Sequence, residues 1–294
     1  MLNRNERQTS ALIRSVFRRR KISADPFAVT NNKLLGKHMK FMTHNQDRVL
    51  GAMIRGDIPL CPHFQAELAW LKEQIRPGDF VLDAGGNMGS VSIALSLYEK
   101  KAFICAFEPD PLNYGLLQVN LAFNECANVN AFNLALGNTD ELIDFYSSPD
   151  NFGDHRSFKP KGLDLREEEF VRLKKPVSKV KASRFLQQCY PDRQLDLVKI
   201  DTQGAEFEIL EEIIPLTGPE TKIAIEFSPY HIDSNKTSRK RVFDLLSNYK
   251  HILRIKPKSV GLYTLEKISC NKLRQFYDEQ YARYKTYYDL ILQN

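Results

Sequence analysis

Residues 81–90, VLDAGGNMGS, pass from a short apolar run through Asp83 to three glycines within five residues. The run FVLDA is a buried strand, and SVSIALSLYEKK after the glycines is a helix. A glycine-rich turn between strand and helix lets the backbone approach a ligand closely. It also presents the free N–H groups of the helix start, which favour an anion.

Outward from this unit, strands and helices alternate. AFICAFEPD is a strand, PLNYGLLQVNLAFN a helix and NVNAFNLALGN a strand. Further on, LDLVKID, AEFEILEEII and TKIAIEFS repeat the order strand, helix, strand. Such repetition predicts an α/β fold with a doubly wound, mostly parallel sheet and a ligand site at the carboxyl ends of its strands. Upstream, PHFQAELAWLKEQI carries Phe64, Leu68, Leu71 and Ile75 at helical spacing, and residues 38–60 suggest short strands and turns. HILRIK and GLYTLEKI are too close to be joined other than as a hairpin, so an antiparallel strand is expected near the C-terminus. Residues 138–190 interrupt the alternation as an insertion expected to lie over the substrate. The expected division is a basic tail or helix over 1–30, a main domain over 31–270, and a C-terminal helix over 271–294.

A dinucleotide fingerprint needs G-x-G-x-x-G, but position 87 is Asn. The spacing is instead D-x-G-x-x-x-G, with Asp83 ending the strand, Gly85 and Gly86 allowing close approach, and Gly89 packing the helix on the sheet. Glu108, at the end of the next strand, can accept both hydroxyls of a ribose, a group that NAD and S-adenosylmethionine share.

Three segments in order, VLDAGGNMGSVSIAL, AFEPDPLNYGLLQVNL and LDLVKIDTQGAEFEIL, resemble the FkbM-type S-adenosylmethionine-dependent methyltransferases. KIDTQGAE is the most specific of them, and the resemblance covers about residues 75–230. Gly86 stands where many relatives carry Ala, and Thr202-Gln203 where Val-Glu is common. The resemblance implies a Rossmann-like class I methyltransferase with a seven-stranded sheet, S-adenosylmethionine as cofactor, and methyl transfer to a hydroxyl oxygen. Asp83, Gly85, Gly86, Asn87 and Gly89 would hold its methionine part and Glu108 its ribose. The segment from Asn133 through Ala135 to Leu136 would lie near the adenine, with Asp201 beside the cofactor.

Methyl transfer to oxygen requires an in-line acceptor and a group to take its proton. In LDLVKID, period two sets Leu197, Lys199 and Asp201 on one face and Val198 and Ile200 on the other. A lysine in a central strand needs a carboxylate partner, for which Asp201 and Glu226 are the candidates. His155, in NFGDHRSF, is a second candidate base, with Arg156 beside it to orient the acceptor. The catalytic candidates are therefore Asp201, His155, Lys199 and Glu226. Glu206 complements its helix dipole, His63 and His231 are read as structural, and no metal site is expected.

Charge divides unevenly. Residues 1–21 hold seven basic side chains against Glu6, and the remainder is balanced at 35 of each sign, so the whole chain carries +6. A balanced main domain argues against nucleic acid as partner, although an RNA-ribose methyltransferase or a non-catalytic interaction module are the rival readings. The tail has Leu12, Ile13, Val16 and Phe17 beside RRRK, the pattern of a basic amphipathic helix that could touch an anionic membrane. The five cysteines lack a CxxC pair, which suits reduced thiols and a cytoplasmic location. Tyr277, Tyr281, Tyr284 and Tyr288 form a helical stripe that could pack on a second copy of the chain. The expected acceptor is a hydroxyl-bearing small molecule or glycan.

Overall fold

The computed structural model describes residues 25–159, 171–281, 283 and 286–294. The basic stretch 1–21 and Tyr284 therefore lie outside the described residues. The chain enters through an antiparallel hairpin, β1 (Phe27–Leu34) and β2 (Lys37–His44), so residues 27–30 belong to a strand and not to the tail. Two helices follow, α1 (Leu50–Arg55) and α2 (Pro62–Gln74), the latter with Pro at its first position, where a missing N–H costs nothing.

The glycine-loop unit is β3 (Phe80–Ala84) followed by α3 (Ser90–Tyr98), then β4 (Phe103–Phe107), α4 (Pro111–Phe123) and β5 (Val129–Phe132). Asp110 caps α4, accepting from Leu112 N at 2.9 Å and Asn113 N at 3.2 Å. The insertion folds as a three-stranded sheet of β6 (Ala135–Gly137), β7 (Glu141–Ser147) and β8 (Leu173–Lys181), with α5 (Ala182–Cys189) after it. Then come β9 (Leu195–Ile200), α6 (Glu206–Ile213), β10 (Thr217–Phe227), α7 (Pro229–Ser234) and α8 (Arg239–Leu246). The chain closes with β11 (His251–Ser259), β12 (Leu262–Lys267), α9 (Cys270–Gln280) and β13 (Tyr288–Gln293).

Among the described residues the main sheet has eight strands, one more than expected, in the order β12-β11-β13-β10-β9-β3-β4-β5. β10, β9, β3, β4 and β5 run parallel. β13 is antiparallel to both β10 and β11, and the β11–β12 hairpin supplies the extra edge strand. The C-terminal helix expected over 271–294 thus stops at Gln280. Leu290, Ile291 and Leu292 are fully buried in the sheet, a burial that outweighs the helical spacing of the tyrosines. Tyr288 stacks on Phe276 at 3.8 Å, and Tyr281 is exposed, so the tyrosine stripe is broken.

Strand alternation sorts two cores. Leu82, Val198, Ile200 and Ile225 face α5, α6, α8 and α9, whereas Val81, Ile104, Leu197 and Ala224 face α2, α3, α4 and the β1–β2 hairpin. The chain order turns back at β3, whose neighbours are β4 on one side and β9 on the other, and this divergence opens a crevice at their carboxyl ends. Among the described residues no helix is long and apolar enough to cross a membrane.

Candidate functional site

A cavity of about 250 Å³ occupies that crevice. Its floor is the glycine loop. Gly85 has φ +88°, and a Cβ there would be driven into the Asp201 carbonyl oxygen, so only glycine fits. Gly89 has φ +93°, and a Cβ would sit 2.6 Å from Leu117. Gly86 lines the cavity and its N–H bonds Phe107 O at 2.9 Å. Asn87 is left-handed at φ 48°, and its Nδ2 holds Phe152 O at 2.8 Å, tying the loop to the insertion. The start of α3 has no side-chain cap, and its Ser90 and Val91 line the cavity.

Glu108 stands on the β4 side. Its two oxygens accept from Asn87 N at 2.9 Å and Asp110 N at 2.8 Å, and burial pushes its carboxyl up to about 8. Each oxygen keeps a second lone pair for a ligand hydroxyl. Asn133 is exposed and does not line the cavity; its Nδ2 bonds the carbonyls of Glu108 and Pro109. Leu134, Ala135 and Leu136 make that wall instead, joined by Ile143 and Phe145 of the insertion.

On the β9 side, Lys199 lies across from Asp83 in the sheet register. Its Nζ donates to Gly85 O at 3.1 Å and stands 3.6 Å from Asp83 Oδ1 and 3.8 Å from Asp201 Oδ2. Burial opposes its charge, but the carboxylates of Asp201, Asp83, Glu67 and Glu108 outweigh it and raise its pKa. Asp83 Oδ2 accepts from Ser92 Oγ at 2.6 Å, and Oδ1 has no hydrogen-bond partner among the described residues. Asp201 Oδ1 accepts from Gln203 Nε2 at 2.8 Å.

Three expectations change. Glu226 is absent from the cavity wall and pairs with His231 Nδ1 at 3.1 Å, not with Lys199. Period two directs it correctly, but the nearer carboxylates of Asp83 and Asp201 already hold the lysine. His155 lines the cavity yet is only 7% exposed. Its Nδ1 accepts from Ser148 N at 2.9 Å, which puts the ring proton on Nε2, 3.5 Å from Asp110. Burial drives its pKa down to about 4, and the nitrogen lone pair a base would use is already occupied. Arg156 is fully buried against Asp154 at 2.7 Å and does not face an acceptor. Asp110, not singled out in the sequence, is the hub that docks the insertion, meeting Lys175 at 2.5 Å and Ser147 Oγ at 3.0 Å. Burial works against its charge, but His155 and Lys175 outweigh that and lower its pKa.

Sequence reasoning also missed Glu67. It projects from α2 into the cavity, near Lys199, Asp289, Asp201 and Asp83. It falls between Phe64 and Leu71 on the apolar stripe of its helix, and a carboxylate on an inward stripe is the signal that could have exposed it. Glu206 is structural: its carboxylate accepts from Thr202 N and Gly204 N, both at 2.9 Å. His63 Nδ1 bonds Asp289 at 2.9 Å. Among the described residues no cluster of His, Cys, Asp or Glu is placed to hold a metal.

The residues present fit S-adenosylmethionine. The uncapped helix start answers its carboxylate and Glu108 its ribose hydroxyls, while the buried Asn113 Oδ1 on the cavity wall, unpartnered among the described residues, awaits a donor.

The family model for the methyltransferase FkbM domain matches residues 83–254. Methyltransferase sdnD of Sordaria araneosa is 30% identical over 156 residues, 46% of this chain and 60% of that protein. The 2-O-methyltransferase NoeI of Sinorhizobium fredii (strain NBRC 101917 / NGR234) is 25% identical over 183 residues, 60% of this chain and 74% of that one. The chain thus spans less than two thirds of the length of sdnD. Among solved structures, precorrin-6y C5,15-methyltransferase from Geobacter metallireducens GS-15 has a TM-score of 0.40 at 15% identity, covering 78% of this chain and 87% of that one. TYW2 of M. jannaschii in complex with AdoMet has a TM-score of 0.42 at 12% identity, covering 93% and 90%.

Proposed function

The chain belongs to the FkbM methyltransferase family, and we propose that it is an S-adenosylmethionine-dependent O-methyltransferase. Its acceptor is a hydroxyl of a small molecule, a sugar or a polysaccharide precursor. The observation that carries this reading is the glycine loop pressed against the Asp201 carbonyl, with Glu108 on one side of it and Lys199 and Asp201 on the other. The name of NoeI, a 2-O-methyltransferase, supports oxygen as the acceptor atom.

S-adenosylmethionine brings a sulfonium methyl group already activated for transfer. The protein's own residues bind and orient. The N–H groups at the start of α3 receive the carboxylate, Glu108 takes the ribose hydroxyls, and Leu134, Ala135, Leu136 and Phe145 enclose the base. Asp201, beside Lys199 and fixed by Gln203, accepts a hydrogen bond from the acceptor hydroxyl and orients it. The insertion, pinned by Asn87 and Asn113 through Phe152 O, both at 2.8 Å, excludes water from the crevice. Calorimetry tests the reading: the full chain should bind S-adenosylmethionine and its demethylated product, S-adenosylhomocysteine, and not NAD. Tight NAD binding with no affinity for either would overturn it.

A further inference from the structure

Proton removal from the acceptor is the one task left without a group in the arrangement above. Seven titratable side chains line the cavity, and six of them are engaged inside the protein. Glu108 accepts two backbone N–H groups, and His155 Nδ1 accepts one. Lys199 donates to Gly85 O, and Asp201 accepts from Gln203 beside that ammonium. Lys179 and Glu208 pair with each other at 3.2 Å. Glu67 is the exception: its neighbours among the described residues act on it through charge alone.

Position adds to this. In the strand order, Glu108 ends β4 on one flank of the glycine-loop strand β3, and Asp201 follows β9 on the other. Helix α2 packs on β10 and β11, further along on the β9 side, so Glu67 overhangs the end of the cavity away from the ribose carboxylate. Leu50 and Phe64 line the cavity as well and give that end apolar walls. The charged groups facing Glu67 are Lys199 of β9, Asp201 just after it, Asp83 of β3 and Asp289 of β13. Three of the four are carboxylates, so a proton arriving on Glu67 relieves repulsion.

We propose that Glu67 is the catalytic base that receives the acceptor's hydroxyl proton, with Asp201 orienting the same hydroxyl. This rests on the methyltransferase reading. The O–H bond of the acceptor breaks and its proton passes to a Glu67 oxygen. The freed electron pair forms the O–CH3 bond, and the pair of the S–CH3 bond stays on sulfur. Positive charge leaves sulfur as negative charge leaves Glu67, so the cavity's net charge is unchanged. Burial and the surrounding carboxylates, against the pull of Lys199, raise this carboxyl to about 8, so the ionised form that takes the proton grows as pH rises from 7 to 9.

The experiment compares two ligands of the full chain by calorimetry: S-adenosylhomocysteine, and sinefungin, which carries an ammonium group where the transferable methyl would be. A carboxylate aimed at that point favours the ammonium. In the wild type the sinefungin preference should rise from pH 7 to pH 9 as Glu67 loses its proton. Glu108 titrates in the same range but touches a ribose common to both ligands, so the ratio is insensitive to it. Glu67→Gln should cut the preference at least tenfold, flatten its pH dependence and leave S-adenosylhomocysteine affinity within about twofold. Glu67→Asp should give an intermediate preference. An unchanged ratio in Glu67→Gln, with both ligands bound, overturns the proposal and leaves the methyltransferase reading standing. Loss of both ligands in Glu67→Gln and Glu67→Asp also overturns it, making Glu67 a structural residue. A wild type that binds neither ligand overturns the methyltransferase reading itself.

Discussion

Glu108 and Glu67 face one cavity from opposite ends, and burial raises both carboxyls to about 8. Their surroundings differ. Glu108 is gripped by two backbone N–H groups at the end of a central strand, whereas Glu67 hangs from a peripheral helix with no hydrogen bond among the described residues. A pre-organised end suits a ligand that is the same in every turnover, and a loosely held end suits proton transfer to whatever acceptor arrives. The contrast can be broken from either side.

The largest effect is expected at the rigid end. Gly85→Val places a side chain against the Asp201 carbonyl at a φ of +88° that β-branched residues avoid. Calorimetry should then detect no binding of S-adenosylhomocysteine; retention of wild-type affinity would show that the close approach is unnecessary. Glu108→Ala comes next. Losing hydrogen bonds from two ribose hydroxyls to a carboxylate should cost about 2–4 kcal/mol of binding, roughly 30- to 1000-fold. Within threefold of wild type, the ribose assignment would be wrong. A smaller effect belongs to the tie between the two ends. Asn87→Ala removes the bond to Phe152 O, which Asn113 still holds, and should lower stability by about 1 kcal/mol. Hydrogen exchange around residues 148–158 should quicken, and an unchanged exchange pattern would show that Asn87 does not pin the insertion.

The same contrast governs what the sequence discloses. At the rigid end the structure is local: strand, turn and helix occupy residues 80–98, and glycines with positive φ announce themselves by type. Glu108 follows as the end of the next strand. At the other end, neighbours arrive from residues 67, 83, 199, 201 and 289, and only the tertiary fold gathers them. β13 is the clearest case. Tyr281, Tyr284 and Tyr288 sit at helical steps, yet Tyr288–Gln293 is threaded between β10 and β11 and brings Asp289 opposite Glu226. Pairing between distant segments leaves no periodicity to read. His155 shows a subtler loss: a histidine in a polar loop gives no hint that Ser148 N and Asp110 will claim its two nitrogens.

The smallest effect is a pH dependence of stability that both ends share. Glu67 and Glu108 are raised from the ordinary glutamate value of 4.5 to about 8, and Glu226 is raised as well, each chiefly by burial. Between 4.5 and 8 the folded protein therefore binds more protons at these groups than the unfolded chain does. Their contribution to stability is fully present below 4.5 and is lost as pH rises through about 8. The buried His155 and His231, lowered to about 4 and about 3, change charge only on the acid side of 6.5 and leave the alkaline side to the carboxyls. Melting temperature should fall as pH rises from 6.5 to 9. Glu67→Gln carries no titrating proton and should melt with a shallower slope over the same range. A melting temperature that rises with pH, or equal slopes in wild type and Glu67→Gln, would mean that Glu67 is already ionised at neutral pH and that the two ends of the cavity differ less than their hydrogen bonds imply.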